Sequence, residues 1–389
     1  MRILLVSGAV MGRPFIKFAH EQGHQLLVLT HEKMLDGAWP RDHVEEVVAT
    51  ASWKRKDIRN TVSFLAQRRK IDRVIAVSDW DVETVCMLRE HMRIPGMGET
   101  TMRYFRDKLA MRMKAKEGGV RVPDFVRILN HEEVYEFMQR VPPPWIIKPR
   151  SAAASVGVKK LRDDQEVWKK ILELGDEQSD YLLEQYIPGE VYHVDSIVWD
   201  RKVRFRGIAK YGKSMLDLNV SGGVYSSRLL PRTHPDWQAL YDFNDKLVET
   251  LGLVRGPTHA EYIKGEDGQF YFLECGARVG SAKIADVLWH GTDVCLWHEW
   301  VKTETQDKYK VPKFREEYAA SIMCLSRHEW PDMSAFADPE VKWVQKKAHH
   351  AGIILASPDP DRVAQLEQDY RERFARDFMA HVPTADHRN

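Results

Sequence analysis

Residues 258–278 read THAEYIKGEDGQFYFLECGAR, two β-rich runs flanking Gly265-Glu266-Asp267-Gly268. A tight turn at those four residues sets Lys264 opposite Gln269, His259 opposite Glu274 and Glu261 opposite Phe272. Side chains alternate across a strand, so His259, Glu261 and Glu274 fall on one face. The two carboxylates are then diagonal neighbours at roughly 7–8 Å between backbones. Carboxylates that close repel unless something positive lies between them. A hard divalent cation meets that need, and magnesium in particular takes one or two protein carboxylates together with waters and substrate phosphates. On the hairpin alone, two glutamates facing solvent from an ordinary strand is an equal reading.

Working outward, the runs YLLEQYI (181–187), VYHVDSIVW (191–199) and VRFRGIAKY (203–211) have strand composition and are separated by turn residues, which predicts a mixed or antiparallel sheet. Residues 1–105 differ. Short runs such as ILLVSG, QLLVLT, EEVVAT and RVIAVS alternate with amphipathic stretches near 13–22, 57–69 and 82–92, the pattern of a small parallel α/β sheet. The turn SGAVMG, with Gly8 and Gly12, is not a dinucleotide fingerprint and reads as a tight strand-to-helix turn. A basic, Met-rich helix follows Asp107, and a strand at 145–148 follows three prolines. Beyond residue 300, strands near 318–325 and 352–356 precede a helix on which Val363, Leu366, Tyr370, Phe374 and Phe378 form a core-facing stripe.

Composition excludes several classes. With 389 residues, 43% hydrophobic and 30% charged, the chain is an ordinary globular protein of two or three lobes. Its 58 basic and 57 acidic residues leave a net charge of +1, which argues against a nucleic-acid partner. No apolar run approaches membrane-spanning length, and the N-terminus reads as a buried strand, not a signal peptide. Cys86, Cys275, Cys295 and Cys324 are scattered, which fits a reducing cytoplasm and no zinc knuckle. His20-Glu21-Gln22-Gly23-His24 matches HExxH literally, but Gly23 ends the helix before His24. Asp79-Trp80-Asp81 sits at a strand's C-terminal edge and reads as a substrate contact or helix cap more readily than as a metal site.

The elements Arg106-Asp107-Lys108, WIIKP with Lys148, SAAASVGV from Ser151, LLEQYIPGE with Glu184 and Glu190, the hairpin, and Arg278 occur in an order that resembles the ATP-grasp superfamily of carboxylate–amine ligases, most of all the L-amino acid (dipeptide) ligases. The resemblance implies α/β and α+β lobes in an ATP-grasp fold: a Rossmann-like pre-ATP-grasp domain over 1–105, a small lid lobe over 106–188, a large lobe over 189–300, and a C-terminal module over 301–389 packed on the large lobe. It implies ATP and Mg2+, with Mn2+ as a substitute, and small-molecule carboxylate and amine substrates of the amino-acid class. A homodimer is a family-based expectation.

By the same resemblance, Lys108 and Lys148 hold the nucleotide phosphates, and the loop with Ser151, Ser155 and Gly157 covers them. Glu184, Gln185, Tyr186 and Ile187 form the hinge that reads adenine. Glu190 takes the ribose hydroxyls, for which a carboxylate is a good double acceptor. Glu261 and Glu274 bind magnesium, and Arg278 meets the reacting phosphate and acyl group, with His259 beside them as a catalytic or orienting residue. Two departures stand out. Ala152-Ala153-Ala154 makes the lid poor in glycine, and Gly276 stands where the family often has an asparagine ligand, with Ser281 in place of a second glycine. Residues 210–213 and Ser221-Gly222-Gly223 are candidates for substrate choice. The implied reaction is ATP-dependent amide formation through an acyl phosphate. The alternatives are a purine-pathway or carboxylase-type enzyme, and a nucleotide-binding module without catalysis.

Overall fold

The computed structural model describes residues 1–153, 155–214, 216–218 and 222–380; Ala154 of the lid and Ser221 lie outside them. Three sheets organise these residues. The first is parallel, in the order β3 (Glu46–Thr50), β2 (Gln25–His31), β1 (Arg2–Val6), β4 (Arg73–Ala76). Helices Arg13–Glu21, Arg55–Ala66 and Val82–Met92 flank it, as the alternating pattern predicts. Gly12 opens the first helix at φ +74, and a Cβ there would sit 3.0 Å from Val77, so the turn after β1 needs a glycine for both conformation and space. Helix Arg13–Glu21 stops before His24, so HEQGH presents no pair of imidazoles on one helix face.

The second sheet is antiparallel, in the order β5 (Phe125–Arg127), β8 (Tyr181–Gln185), β6 (Trp145–Pro149), β7 (Lys159–Leu161). The third has eight antiparallel strands. Its order is β13 (Phe270–Gly276), β12 (Arg255–Gly265), β9 (Gly189–Trp199), β10 (Lys202–Tyr211), β11 (Tyr225–Leu229), β14 (Tyr318–Leu325), β16 (His350–Ser357), β15 (Val341–Val344). Alternation on β9 divides two cores. Ile197 faces helices Ile284–Thr292 and Leu296–Thr305, whereas Val194 and Val198 face helix Trp237–Leu251.

Packing redraws two of the sequence boundaries. The helix Lys108–Glu117, expected in the lid lobe, places Met111 and Ala115 in one core with Leu247, Val248 and Phe272 of the large lobe. The C-terminal segment, expected as a module packed on the large lobe, instead continues its sheet, because β14 pairs with β11. Composition could not show this: an added edge strand reads like any other strand until its partner is known. The final helix, Pro360–Asp377, locks the addition in place. Its Glu367 accepts hydrogen bonds from Ser226 (2.6 Å) and Arg228 (2.8 Å) of β11, and Val363, Leu366, Tyr370 and Phe374 are buried as the stripe predicts.

Phe374 is fully buried and meets Phe336 edge to face at 5.1 Å. Phe374→Ala is therefore expected to destabilise the protein by about 3–5 kcal/mol. Because the sheet is continuous, hydrogen exchange should accelerate in β11 together with β14 and β16; acceleration confined to residues beyond 317 would show instead that the segment behaves as a separate module.

Candidate active site

The hairpin does not pair as a simple turn predicts. Lys264 stands opposite Phe270 and Tyr262 opposite Phe272, and then the register shifts so that Glu261 faces Glu274 and His259 faces Gly276. Leu273 is the extra residue of a β-bulge. Glu261 and Glu274 are thus direct opposites, not diagonal neighbours, and share one face. The bulge takes the Leu273 carbonyl out of regular pairing, and the wholly buried Arg112 donates to it from helix Lys108–Glu117.

Arg112 also anchors a second acid. Its Nε and Nη2 each lie 3.0 Å from Glu184 Oε2, and Lys148 Nζ donates to the other oxygen of the same carboxylate. Glu184 thus organises two buried cations at the base of the cleft. Burial drives the Lys148 ammonium down to about 8, against the opposing pull of Glu184. Burial would raise Glu184, but Arg112 and Lys148 hold it below the usual carboxylate range. Lys108 Nζ lies 2.9 Å from Glu274 Oε2 and donates to the Ala152 carbonyl of the lid loop at 2.6 Å. Burial alone would raise Glu274, but Lys108, Lys148 and Arg278 together outweigh it and bring the acid down to about 2, so the carboxylate is ionised.

Lys108, Lys148, Glu184, Glu261 and Glu274 line one end of a solvent-open cleft of about 980 Å³ between the second and third sheets, with Arg112 buried behind them. Gln185, Tyr186 and Ile187 line the other end with Gly189, Val191 and Ile263. The amides of Gln185 and Tyr186 donate to the carbonyls of Asp124 and Pro144, which commits them to the fold. Ser155, at φ 56, lines the cleft, whereas Ser151 is exposed and outside its lining. Gly157, at φ 74, lies against Pro149 at the base of the lid, where a Cβ would come within 2.8 Å of the proline ring.

Glu190 is not brought into the cleft. It is opposite Lys264, on the other face of β9, where Lys210 (2.5 Å) and the Tyr192 hydroxyl (3.1 Å) hold it; the Lys210 contact keeps its carboxyl below the usual range. Its neighbour Val191 occupies the cleft face instead, because a strand exchanges faces at every residue and a motif match one residue off selects the wrong side.

His259 joins a buried chain of polar groups. His193 Nε2 meets Ser227 Oγ at 2.7 Å and its Nδ1 meets Asp195 at 2.6 Å; the other Asp195 oxygen is 3.0 Å from His259 Nδ1. His259 Nε2 then lies 3.5 Å from Glu261, which also accepts a 2.9 Å hydrogen bond from Tyr211. Burial would lower the imidazole, but Asp195 overrides it and pushes His259 up to about 10. The ligand atoms of His193, Asp195 and His259 lie within 4.8 Å of one another, yet they already satisfy each other by hydrogen bonding. Arg278 pairs through Nε with Asp79, which follows β4 in the first sheet. Asp81 of the same DWD stretch makes no cap. It is buried, raised by that burial to about 6, and accepts from the Gly8 amide and the Trp53 indole.

Sequence reading missed Arg112, Asp195 and His193, and it singled out Tyr211 only within residues 210–213 as a candidate for substrate choice, not as a partner of Glu261. Only Arg112 carried a usable signal, standing four residues after Lys108 and so on the same helix face. The donor set fits a hard cation: two directly opposed, ionisable carboxylates with lysines at the same end of the cleft to meet phosphate oxygens.

Residues 141–286 match the ATP-grasp domain family. Among curated proteins, the L-arginine-specific L-amino acid ligase of Bacillus subtilis is 23% identical over 232 residues, 58% of this chain and 56% of that protein. A D-alanine–D-alanine ligase of Thermotoga maritima is 27% identical over 188 residues, 44% of this chain and 56% of that protein. The chain thus spans little more than half the length of these relatives. Among solved structures, the L-amino acid ligase from Bacillus licheniformis superposes with a TM-score of 0.76 at 16% identity, covering 97% of this chain and 98% of that one. The N5-carboxyaminoimidazole synthetase from Staphylococcus aureus complexed with ADP gives 0.74 at 15% identity, covering 96% of each. The chain carries an ATP-grasp domain at residues 141–286 and is built on the ATP-grasp fold.

Proposed function

We propose that this protein is an ATP-dependent carboxylate–amine ligase that forms an amide or peptide bond between amino-acid substrates, releasing ADP and phosphate. The observation that carries the reading is the direct opposition of Glu261 and Glu274 across the bulge, with Lys108, Lys148 and Glu184 lining the same cleft. ATP would lie along the cleft with adenine against 185–187 and its phosphates toward the lysines. Glu261 and Glu274 would hold Mg2+, or Mn2+ in its place, and the metal when bound would neutralise charge on the transferring phosphoryl group.

The chain's own residues supply the rest. Lys108 and Lys148 spread positive charge along the phosphates, and Ala152 and Ser155 bring the lid over them. A carboxylate is a poor acylating agent until its oxygen carries a phosphoryl group. Arg278, half-buried beside Glu274, is placed to hold the oxyanion that forms when an amine attacks the resulting acyl phosphate. His259 fixes the Glu261 carboxylate from behind, with Asp195 and Tyr211 holding both. The four cysteines are unpaired, in keeping with a cytoplasmic protein, and among the described residues no helix is long and apolar enough to cross a membrane. The departure at Gly276, which favours a module without catalysis, is answered by Asp79, whose carboxylate occupies the space beside it.

Three outcomes test the reading. ADP release from MgATP should depend on added amino acids and yield a product equal to two substrates minus water; Glu274→Gln should reduce it at least about 100-fold with the fold intact, and near-normal turnover in that variant would sink the metal assignment. Glu190→Ala should change nucleotide affinity less than about threefold, whereas Val191→Asp, which puts a charge on the cleft face, should change it more; calorimetric titration with ADP reads both. Lys148 loses its proton as pH rises through about 8 in the free protein, and phosphate oxygens favour the charged form. Nucleotide binding at pH 8.5 should therefore take up protons, seen as a binding enthalpy that varies with buffer ionisation enthalpy, and Lys148→Met should abolish that dependence.

A further inference from the structure

Glu190, which the nucleotide cleft leaves aside, lines another cavity. Lys210 stands in register with Tyr192 on one side and Arg228 on the other, so Glu190, Lys210 and Arg228 share one face of the third sheet. Between that face and the final helix, Pro360–Asp377, lies a solvent-open space of about 1050 Å³. The helix serves two surroundings. Val363, Leu366, Tyr370 and Phe374 are buried in the core, whereas Ala364, Glu367, Gln368 and Arg371 face the cavity. The acids along this cavity are already committed: Glu190 to Lys210 and the Tyr192 hydroxyl, Glu367 to Ser226 and Arg228, and Asp217 to Ser214. Two of its cations are not. Arg371 makes no hydrogen bond among the described residues, and its ion pair with Glu367 is long, 3.9 Å from Nη1 to Oε1. Lys213 forms no ion pair among the described residues. Gly212 sets the two side by side, because a Cβ there would lie 2.6 Å from Arg371 Nη1 and Lys213 is the next residue.

A guanidinium and an ammonium that open on one space repel each other until an anion joins them, and the planar fork of arginine suits paired acceptor oxygens. We infer that this cavity is a regulatory site for a small dianion, a phosphate monoester or a dicarboxylate, held by Arg371 and Lys213 with Lys210 and Arg228 lining the same space. Gly189, Val191, Ser214 and Asp217 wall both this cavity and the nucleotide cleft. An anion that draws Arg371 and Lys213 together therefore moves a wall that the nucleotide also touches. Occupancy of one site changes affinity at the other, and by linkage the two effects are equal. Arg371 lies beyond the matched domain, so the C-terminal segment supplies a binding group as well as strands. The inference is independent of the reaction that the nucleotide drives.

The test is calorimetric titration of the full chain, saturated with MgADP so that the nucleotide cleft is filled, with glycerol 2-phosphate and separately with succinate. At least one probe should bind with a Kd of about 1 mM or tighter. Tighter binding of the phosphate assigns the site to phosphate monoesters, and tighter binding of succinate assigns it to dicarboxylates. Arg371→Met should weaken that probe at least about 10-fold and Arg371→Lys less, since lysine keeps the charge and loses the fork. Lys213→Met should weaken it in the same direction, which keeps the test open if one variant folds poorly. Without a probe, Arg371→Met should bind ADP within about twofold of the native protein, whereas the saturating probe should shift the native Kd for ADP about threefold or more and leave that of Arg371→Met unmoved. Binding of neither probe at about 10 mM overturns the inference, as does binding that both methionine variants leave unchanged. Binding at this site with no change in ADP affinity overturns its regulatory role. No outcome bears on the ligase reading, because turnover is not measured.

Discussion

The site depends on one hydrogen bond between elements far apart in the chain, from Arg112 to the carbonyl of Leu273. A bulge on an edge hairpin leaves a backbone carbonyl outside the ladder, and such a group is costly to bury without a donor. Arg112 supplies the donor from the helix that also carries Lys108, and the same guanidinium fixes Glu184, which fixes Lys148. One buried charge therefore couples the opposition of Glu261 and Glu274 to the placement of both lysines. A buried ion-pair cluster contributes little net stability, because desolvation offsets much of the attraction, but loss of one member strands the others. Its value here is geometric: it sets positions for charges that phosphate oxygens can later meet.

Behind the carboxylates, the line from Ser227 through His193, Asp195 and His259 to Glu261 plays a similar part. Side chains that bind charged ligands need their rotamers held by groups behind them. Every member of this chain sits on the third sheet, on β11, β9 and β12, so the rigidity of that sheet passes directly to Glu261. The C-terminal strands and helix matter for the same reason. By pairing with β11 they turn an edge into an interior strand and hold Ser227 in place.

The first sheet is more than a neighbour. Asp79 reaches from its C-terminal edge to Arg278, and Arg106 reaches from the connection that follows. The position after a parallel strand is where α/β sheets present functional groups. Residues 141–286 supply most of the lining of the cleft, and the pocket beside it is walled both by this segment and by Asp79, Arg106 and Lys108, which precede it.

The sequence alone determined the elements, because hydrophobic periodicity is local: the parallel α/β start, the strand runs of the large sheet and the stripe on the last helix all match the structure. Its motif order, by resemblance, also singled out Lys108, Lys148, Glu261 and Glu274, which the fold brings to one cleft, and Arg278, which lines the pocket beside it. Three things belonged to the tertiary structure. The hairpin register turned on a bulge stabilised by an arginine some 160 residues away, which no local pattern encodes. Glu190, expected at the ribose, falls outside the lining of the cleft while its neighbour Val191 enters it, because faces alternate with every residue of a strand. The partnership of Asp79 with Arg278 and Gly276 joins residues about 200 apart, and what an absent side chain leaves room for can be seen only when the chain has folded around it.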